Sequence, residues 1–150
     1  MIAIVVVDAA VWATWSMTAS AIGRRLPNRM LDADTFVTRE RAFEDGGRFY
    51  ERFRIRDWKD RVPEFGSWMG GSSKATLGGR NRLPLFARET RRAEFVHWMI
   101  FAAAPVFARW NPPALTLAMV AYAIAANIPF IAIQRYNRLR IARLTRVKSR

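Results

Sequence analysis

Apolar and polar residues are gathered into separate blocks along this chain. Met1 to Gly23 is built of Ile, Val, Ala, Trp, Met, Ser and Thr around a single charge, Asp8. A helix needs roughly 20 largely apolar residues to cross the hydrocarbon core of a bilayer, and this block is long enough. The second block, Phe95 to Ala108, closes on the turn signal Arg109-Trp110-Asn111-Pro112-Pro113. As a purely apolar run it is short, so it either spans as 94–110, with Glu94 and His97 near the surface, or dips in and returns. The third block, Pro113 to Gln134, is interrupted only by Asn127 and Pro129.

The pattern predicts an all-α integral membrane protein with two or three transmembrane helices. They cover 1–23, 94–110 and 113–134, the last two being either two spans or one re-entrant hairpin. Residues 24–93 are expected to form a cytoplasmic, interfacial helical insert, and 135–150 a basic helical tail. Within the insert, Thr38 to Arg56 reads as a helix broken at Gly46-Gly47. Its stretch Arg48 to Lys59 mixes Arg with Phe49, Tyr50, Phe53 and Trp58. Beside membrane segments, this composition suits a helix at headgroup level better than a nucleic-acid surface, so no nucleic-acid partner is expected. Gly66 to Gly79 reads as a flexible connector. Its Gly70-Gly71-Ser72-Ser73-Lys74 lacks the spacing of a phosphate-binding loop.

Charge sets the orientation. The 150 residues carry 25 Lys and Arg against 12 Asp and Glu, a net charge of +13. Every Lys and Arg except Arg109 falls in 24–93 or 135–150. Positive residues favour the cytoplasmic side, so the expectation is a multi-pass protein of the cell membrane with its N-terminus outside and its C-terminus cytoplasmic. Ala19-Ser20-Ala21 looks like a signal-peptide cleavage site, but no Lys or Arg precedes the apolar run and Arg24-Arg25 follow it, which favours an uncleaved anchor. The tail implies contact with anionic lipid headgroups. With no cysteine and one histidine, a Cys-ligated or His-rich metal site and a Cys nucleophile are excluded.

The candidate chemistry lies where the second block meets the polar insert. On a helix, Thr90, Glu94 and His97 share one face. A carboxylate beside an imidazole can hold the ring in one tautomer, leaving the other nitrogen to take a proton from a hydroxyl. Glu94 and His97 are therefore the expected acid–base pair, although Glu and His also sit at interfacial helix ends for solvation alone. Asp8 and Asn127 are polar groups inside apolar blocks, and for Asn127 a helix–helix hydrogen bond is the favoured reading. Pro129 should kink the third helix and free a carbonyl for Asn127.

Several of these residues recur in a recognisable order. Trp58-Lys59, Glu89-Thr90-x-Arg92-Ala93-Glu94-x-x-His97-Trp98, Asn127-x-Pro129 and Gln134-Arg135-Tyr136-Asn137-Arg138 resemble the glycosyl-4,4'-diaponeurosporenoate acyltransferases of staphyloxanthin-type carotenoid synthesis. The likeness covers roughly residues 24–146, and residues 66–88 depart from it. It implies transfer of a fatty acyl group onto a sugar hydroxyl of a membrane glycolipid. The co-substrate would be an acyl donor such as acyl-CoA or acyl carrier protein, with no other cofactor. On this reading His97 is the general base, Glu94 orients it, and Arg92, Arg135 and Arg138 bind the donor or its oxyanion. Trp58, Lys59, Trp98, Asn127, Gln134, Tyr136 and Asn137 complete the substrate contacts. The alternative is a non-enzymatic membrane subunit that binds lipid or scaffolds an assembly.

Overall fold

The structure, a computed structural model, describes residues 2–62 and 82–148, with side chains through residue 145. The Gly66 to Gly79 connector lies outside the described residues. The elements are α1 (Ile2–Arg25), α2 (Asn28–Leu31), α3 (Arg48–Glu51), α4 (Ile55–Trp58), α5 (Leu83–Ala102) and α6 (Pro113–Lys148). Two 3-10 turns, Ala42–Gly47 and Ala104–Arg109, join them. No strand occurs among the described residues.

α1 and α6 are long and apolar enough to cross a membrane. The 24 residues of α1 extend about 36 Å at 1.5 Å per residue. Only 17% of its apolar window is buried, and 22% of that in α6, whereas a core helix of a water-soluble protein is mostly buried. Ile2, Val5, Val6, Val7, Met17, Leu117 and Ile124 all face outward.

α5 and the turn that follows it run antiparallel to α1 in a register set by polar and aromatic contacts. At the insert end, Arg92 Nη1 donates to the carbonyls of Gly23 and Leu26 at 2.6 and 3.2 Å. Further along, Trp15 Nε1 donates to the Met99 carbonyl at 3.1 Å, and the Trp12 and Phe107 rings lie 5.7 Å apart. At the far end, Trp110 Nε1 and Asn111 Nδ2 each donate to Asp8 at 2.8 Å. Arg92 to Asn111 thus runs alongside α1 from Gly23 back to Asp8, about 22 Å of helix. Gly23 permits close approach of the two helices, because a Cβ there would lie 2.3 Å from Val96 Cγ2.

The expected single element over 94–110 is instead a helix followed by a 3-10 turn. Pro105 lies early in the turn Ala104–Arg109, where its missing N–H and its ring prevent regular α-helical bonding to the preceding turn. Pro113 then opens α6, a position that needs no N–H partner. α6 turns back along α5, and Trp12, Ala19, Ile100, Ala104, Phe107 and Ala123 form the core between the three segments. α6 runs on without a break to Lys148, so the basic tail begins as its extension, and Pro129 is accommodated inside it.

The helix expected over Thr38 to Arg56 is divided into short pieces. Asp45, Gly46 and Gly47 have φ of 45°, 59° and 91°, and Arg54 has φ of 52°. These left-handed residues cannot continue a right-handed helix. The break at Gly46-Gly47 serves packing as well. A Cβ on Gly47 would meet the Tyr136 ring at 3.3 Å, so glycine lets the insert lie directly on α6. There Ile55, Ile133 and Tyr136 form a second small core, flanked by Tyr50 and Trp58.

Candidate active site

Two polar constellations join α5 to α6. The first centres on Arg135. A guanidinium has five N–H donors, and all five are engaged. Nε and Nη2 donate to the two oxygens of Glu44, each at 2.7 Å. Nη1 donates to Glu94 Oε1 at 2.5 Å and to the Val37 carbonyl at 2.9 Å, and Nη2 also donates to the Arg39 carbonyl at 2.7 Å. Glu44 and Glu94 are fully buried. Tyr50 Oη donates to Glu44 Oε1 at 2.5 Å and the Arg41 backbone N–H to Oε2 at 2.5 Å. Burial alone would raise the Glu44 carboxyl, but Arg135, Tyr50 and the Arg41 N–H outweigh it and hold it below the ordinary carboxylate range. Burial and the adjacent Glu44 push the Tyr50 phenol up.

Arg138 completes this constellation. Its Nη2 donates to the Thr38 carbonyl at 2.6 Å and sits 2.8 Å from Glu94 Oε2, at an angle poor for hydrogen bonding. Its Nε is 3.8 Å from Asp34. Nε and Nη1 make no hydrogen bond among the described residues, although the side chain is buried. Of the three arginines expected to meet an anionic donor, only Arg138 has side-chain nitrogens that make no hydrogen bond among the described residues. Arg135 is saturated, and Arg92 caps the C-terminal carbonyls of α1 while also meeting Asn28 and Glu89.

The second constellation holds His97, which is half-buried on α5. Its Nδ1 lies 3.1 Å from Asn127 Oδ1 on α6. Asn127 Nδ2 donates to the Ala123 carbonyl at 2.9 Å. The Phe130 ring stacks on the imidazole, with centroids 4.8 Å apart and planes within 12°. The expected pairing of Glu94 with His97 is therefore absent. Glu94 points to the arginines of α6, and Asn127 is the partner of the imidazole. The helix–helix hydrogen bond favoured for Asn127 is present, but its amide reaches the Ala123 carbonyl and not one freed by Pro129.

This arrangement can be set beside known sequences. Residues 29–147 match the sequence profile of the glycosyl-4,4'-diaponeurosporenoate acyltransferases. The chain belongs to this family. Proteins of that name from Staphylococcus aureus strain USA300 are 25% identical over 143 residues, covering 93% of this chain and 86% of theirs. Those of strain MRSA252 are 26% identical over 148 residues, with the same coverage. No solved structure matches. Membership makes the chain an enzyme that transfers acyl groups.

The remaining residues of the acyltransferase pattern divide into packed and available groups. Tyr136 is fully buried, and Arg56 Nε donates to its hydroxyl at 2.9 Å. Trp58 Nε1 donates to the Phe53 carbonyl at 3.1 Å, and Lys59 pairs with Asp60 at 2.6 Å. Trp98 Nε1 donates to Glu94 Oε1 at 3.4 Å. Gln134 and Asn137 are half-buried on α6, and their side chains make no hydrogen bond to another described residue. Sequence reasoning missed Glu44, Tyr50 and Phe130. A buried-charge argument could have signalled Glu44, since Arg135 beside an apolar block needs a counter-ion, but the sequence does not say which.

Proposed function

We propose that this chain transfers a fatty acyl group from a thioester, acyl-CoA or acyl carrier protein, onto a sugar hydroxyl of a glycosylated carotenoid or other membrane glycolipid. Family membership supports the reaction class. The observation that carries the site is His97, with one ring nitrogen tied to Asn127 and the other without a partner among the described residues. His97 is the general base on this reading. Arg138, Gln134 and Asn137, with unspent polar groups one to three turns along α6 from Asn127 and Phe130, meet the sugar or the thioester. Arg135 and Glu94 are a strut beneath them.

The site sits in the cell membrane with its polar end in the cytoplasm. The outward apolar faces of α1 and α6 support insertion, and the charge asymmetry supports an outside N-terminus. The register of Arg92 to Asn111 against α1 supports a second segment that passes most of the way across the bilayer. Exposed Phe36, Phe43 and Phe53, interleaved with arginines, suit an insert resting on anionic headgroups. The test is the lipid profile of cells lacking the protein. A glycolipid lighter by one fatty acyl residue should accumulate while the acylated form disappears. An unchanged profile would refute the proposal.

A further inference from the structure

We propose that Asn127 is a positioning residue that decides which nitrogen of His97 takes up the proton. The inference rests on the acyltransferase reading and carries it to single atoms. Asn127 Nδ2 donates to the Ala123 carbonyl, which can only accept, so the amide cannot be reversed. Its Oδ1 therefore faces His97 Nδ1 at 3.1 Å. An amide oxygen can only accept, so Nδ1 carries the hydrogen and the neutral ring keeps its lone pair on Nε2. Asn127 is 2% exposed, so water does not compete for this bond. The Phe130 stack opposes rotation of the ring.

No charged group replaces Asn127 in this role. On α5 the nearest is Glu94, which is spent on Arg135 and Arg138 of α6. α1 meets this part of α5 through Trp15, Ala19 and Gly23, none of them charged. The Asn127 amide makes the one hydrogen bond to the ring among the described residues.

The chemistry needs this tautomer. The sugar hydroxyl gives its proton to Nε2 as its oxygen bonds to the acyl carbonyl carbon. Collapse of the resulting oxyanion breaks the carbon–sulfur bond, and the departing thiolate takes the proton back from Nε2. The products are an ester and a thiol, and His97 ends neutral. With the hydrogen on Nε2, the commoner form of free histidine, the lone pair would point into the α6 wall.

His97 is the only histidine in the chain, so nitrogen-15 labelled histidine reports one ring without assignment. In bilayer-reconstituted full-length protein at a pH where the ring is neutral, the spectrum should show the Nδ1–H form. Asn127→Leu should move it to mostly Nε2–H and lower kcat roughly tenfold or more, with KM changed less than about twofold. Asn127→Asp keeps an acceptor, so it should retain the Nδ1–H form. Its negative charge should also shift the acidic limb of the kcat profile to higher pH. An Nε2–H signal in the wild type, or an unchanged tautomer in Asn127→Leu, would overturn the inference. A wild type with the Nδ1–H form but no acyl transfer would instead refute the acyltransferase reading and the base role with it.

Discussion

Arg135→Ala should release the insert from α6 while leaving the three-segment core intact. Arg135 spends two donors on Glu44, one on Glu94, and the others on the Val37 and Arg39 carbonyls. Both carboxylates are 0% exposed, so truncation strands buried charge. Removing one partner of a buried ion pair costs about 3–5 kcal/mol. Two carboxylates are stranded here, but Glu94 keeps Arg138, and Glu44 keeps Tyr50 and the Arg41 N–H. The cost of one pair is therefore the working figure. At about 1.4 kcal/mol per tenfold, the open population of the insert rises by roughly two to three and a half powers of ten. The small Ile55, Ile133 and Tyr136 cluster, the Arg56–Tyr136 and Arg138–Thr38 hydrogen bonds and the Arg143–Glu51 ion pair remain to oppose opening. Amide hydrogen exchange in detergent reads this locally. Amides of residues 42–58 should exchange faster by about that factor, and those of α1 and residues 97–107 should not. Unchanged protection of the insert, or equal loss throughout, would refute the strut.

Other outcomes follow from single contacts. Glu44 is held below its ordinary pKa when folded, so its contribution is complete above the unfolded glutamate range and is lost as pH falls through the folded value. The insert should therefore become protease-sensitive on acidification, and Glu44→Gln should flatten that pH dependence. Gly23→Ala forces a Cβ against Val96 Cγ2, a stiff β-branched neighbour, and should cost about 1–3 kcal/mol in thermal unfolding. Adding Val96→Ala should recover most of this loss, and an additive double mutant would contradict the contact. Asp8→Ala leaves the Trp110 and Asn111 N–H groups without their acceptor, and should destabilise by about 1–3 kcal/mol. An unchanged melting temperature would show that this end of the bundle is not joined there.

The helical frame was legible because its signals are local. Apolar blocks, the Pro112-Pro113 turn and the Arg24-Arg25 boundary each act over a few residues, and α1 and α6 follow them closely. The break at Gly46-Gly47 was legible for the same reason, while the left-handed Arg54 carried no sequence mark. The wiring of the site was not legible. Glu94 and His97, three residues apart, look like partners on one helix. Each instead meets a different part of α6, across 41 and 30 residues of chain. Nothing in a sequence separates an arginine that binds substrate from one saturated by carboxylates and carbonyls. Arg92, Arg135 and Arg138 therefore looked equivalent, and burial and donor counting distinguish them. The family pattern marks both kinds of residue, since Arg135 and Tyr136 hold the scaffold beside Gln134 and Asn137, which remain available.

The central claim is that this chain transfers acyl groups with His97 as base. Purified protein in vesicles, given a labelled acyl thioester and a glycosylated carotenoid, tests it most directly. The account predicts a labelled sugar ester from the wild type and a loss of rate of roughly a hundredfold or more in His97→Ala, the scale of a missing general base. An ester formed at the wild-type rate by His97→Ala would contradict the assigned base. No ester from the folded wild type would contradict the account as a whole.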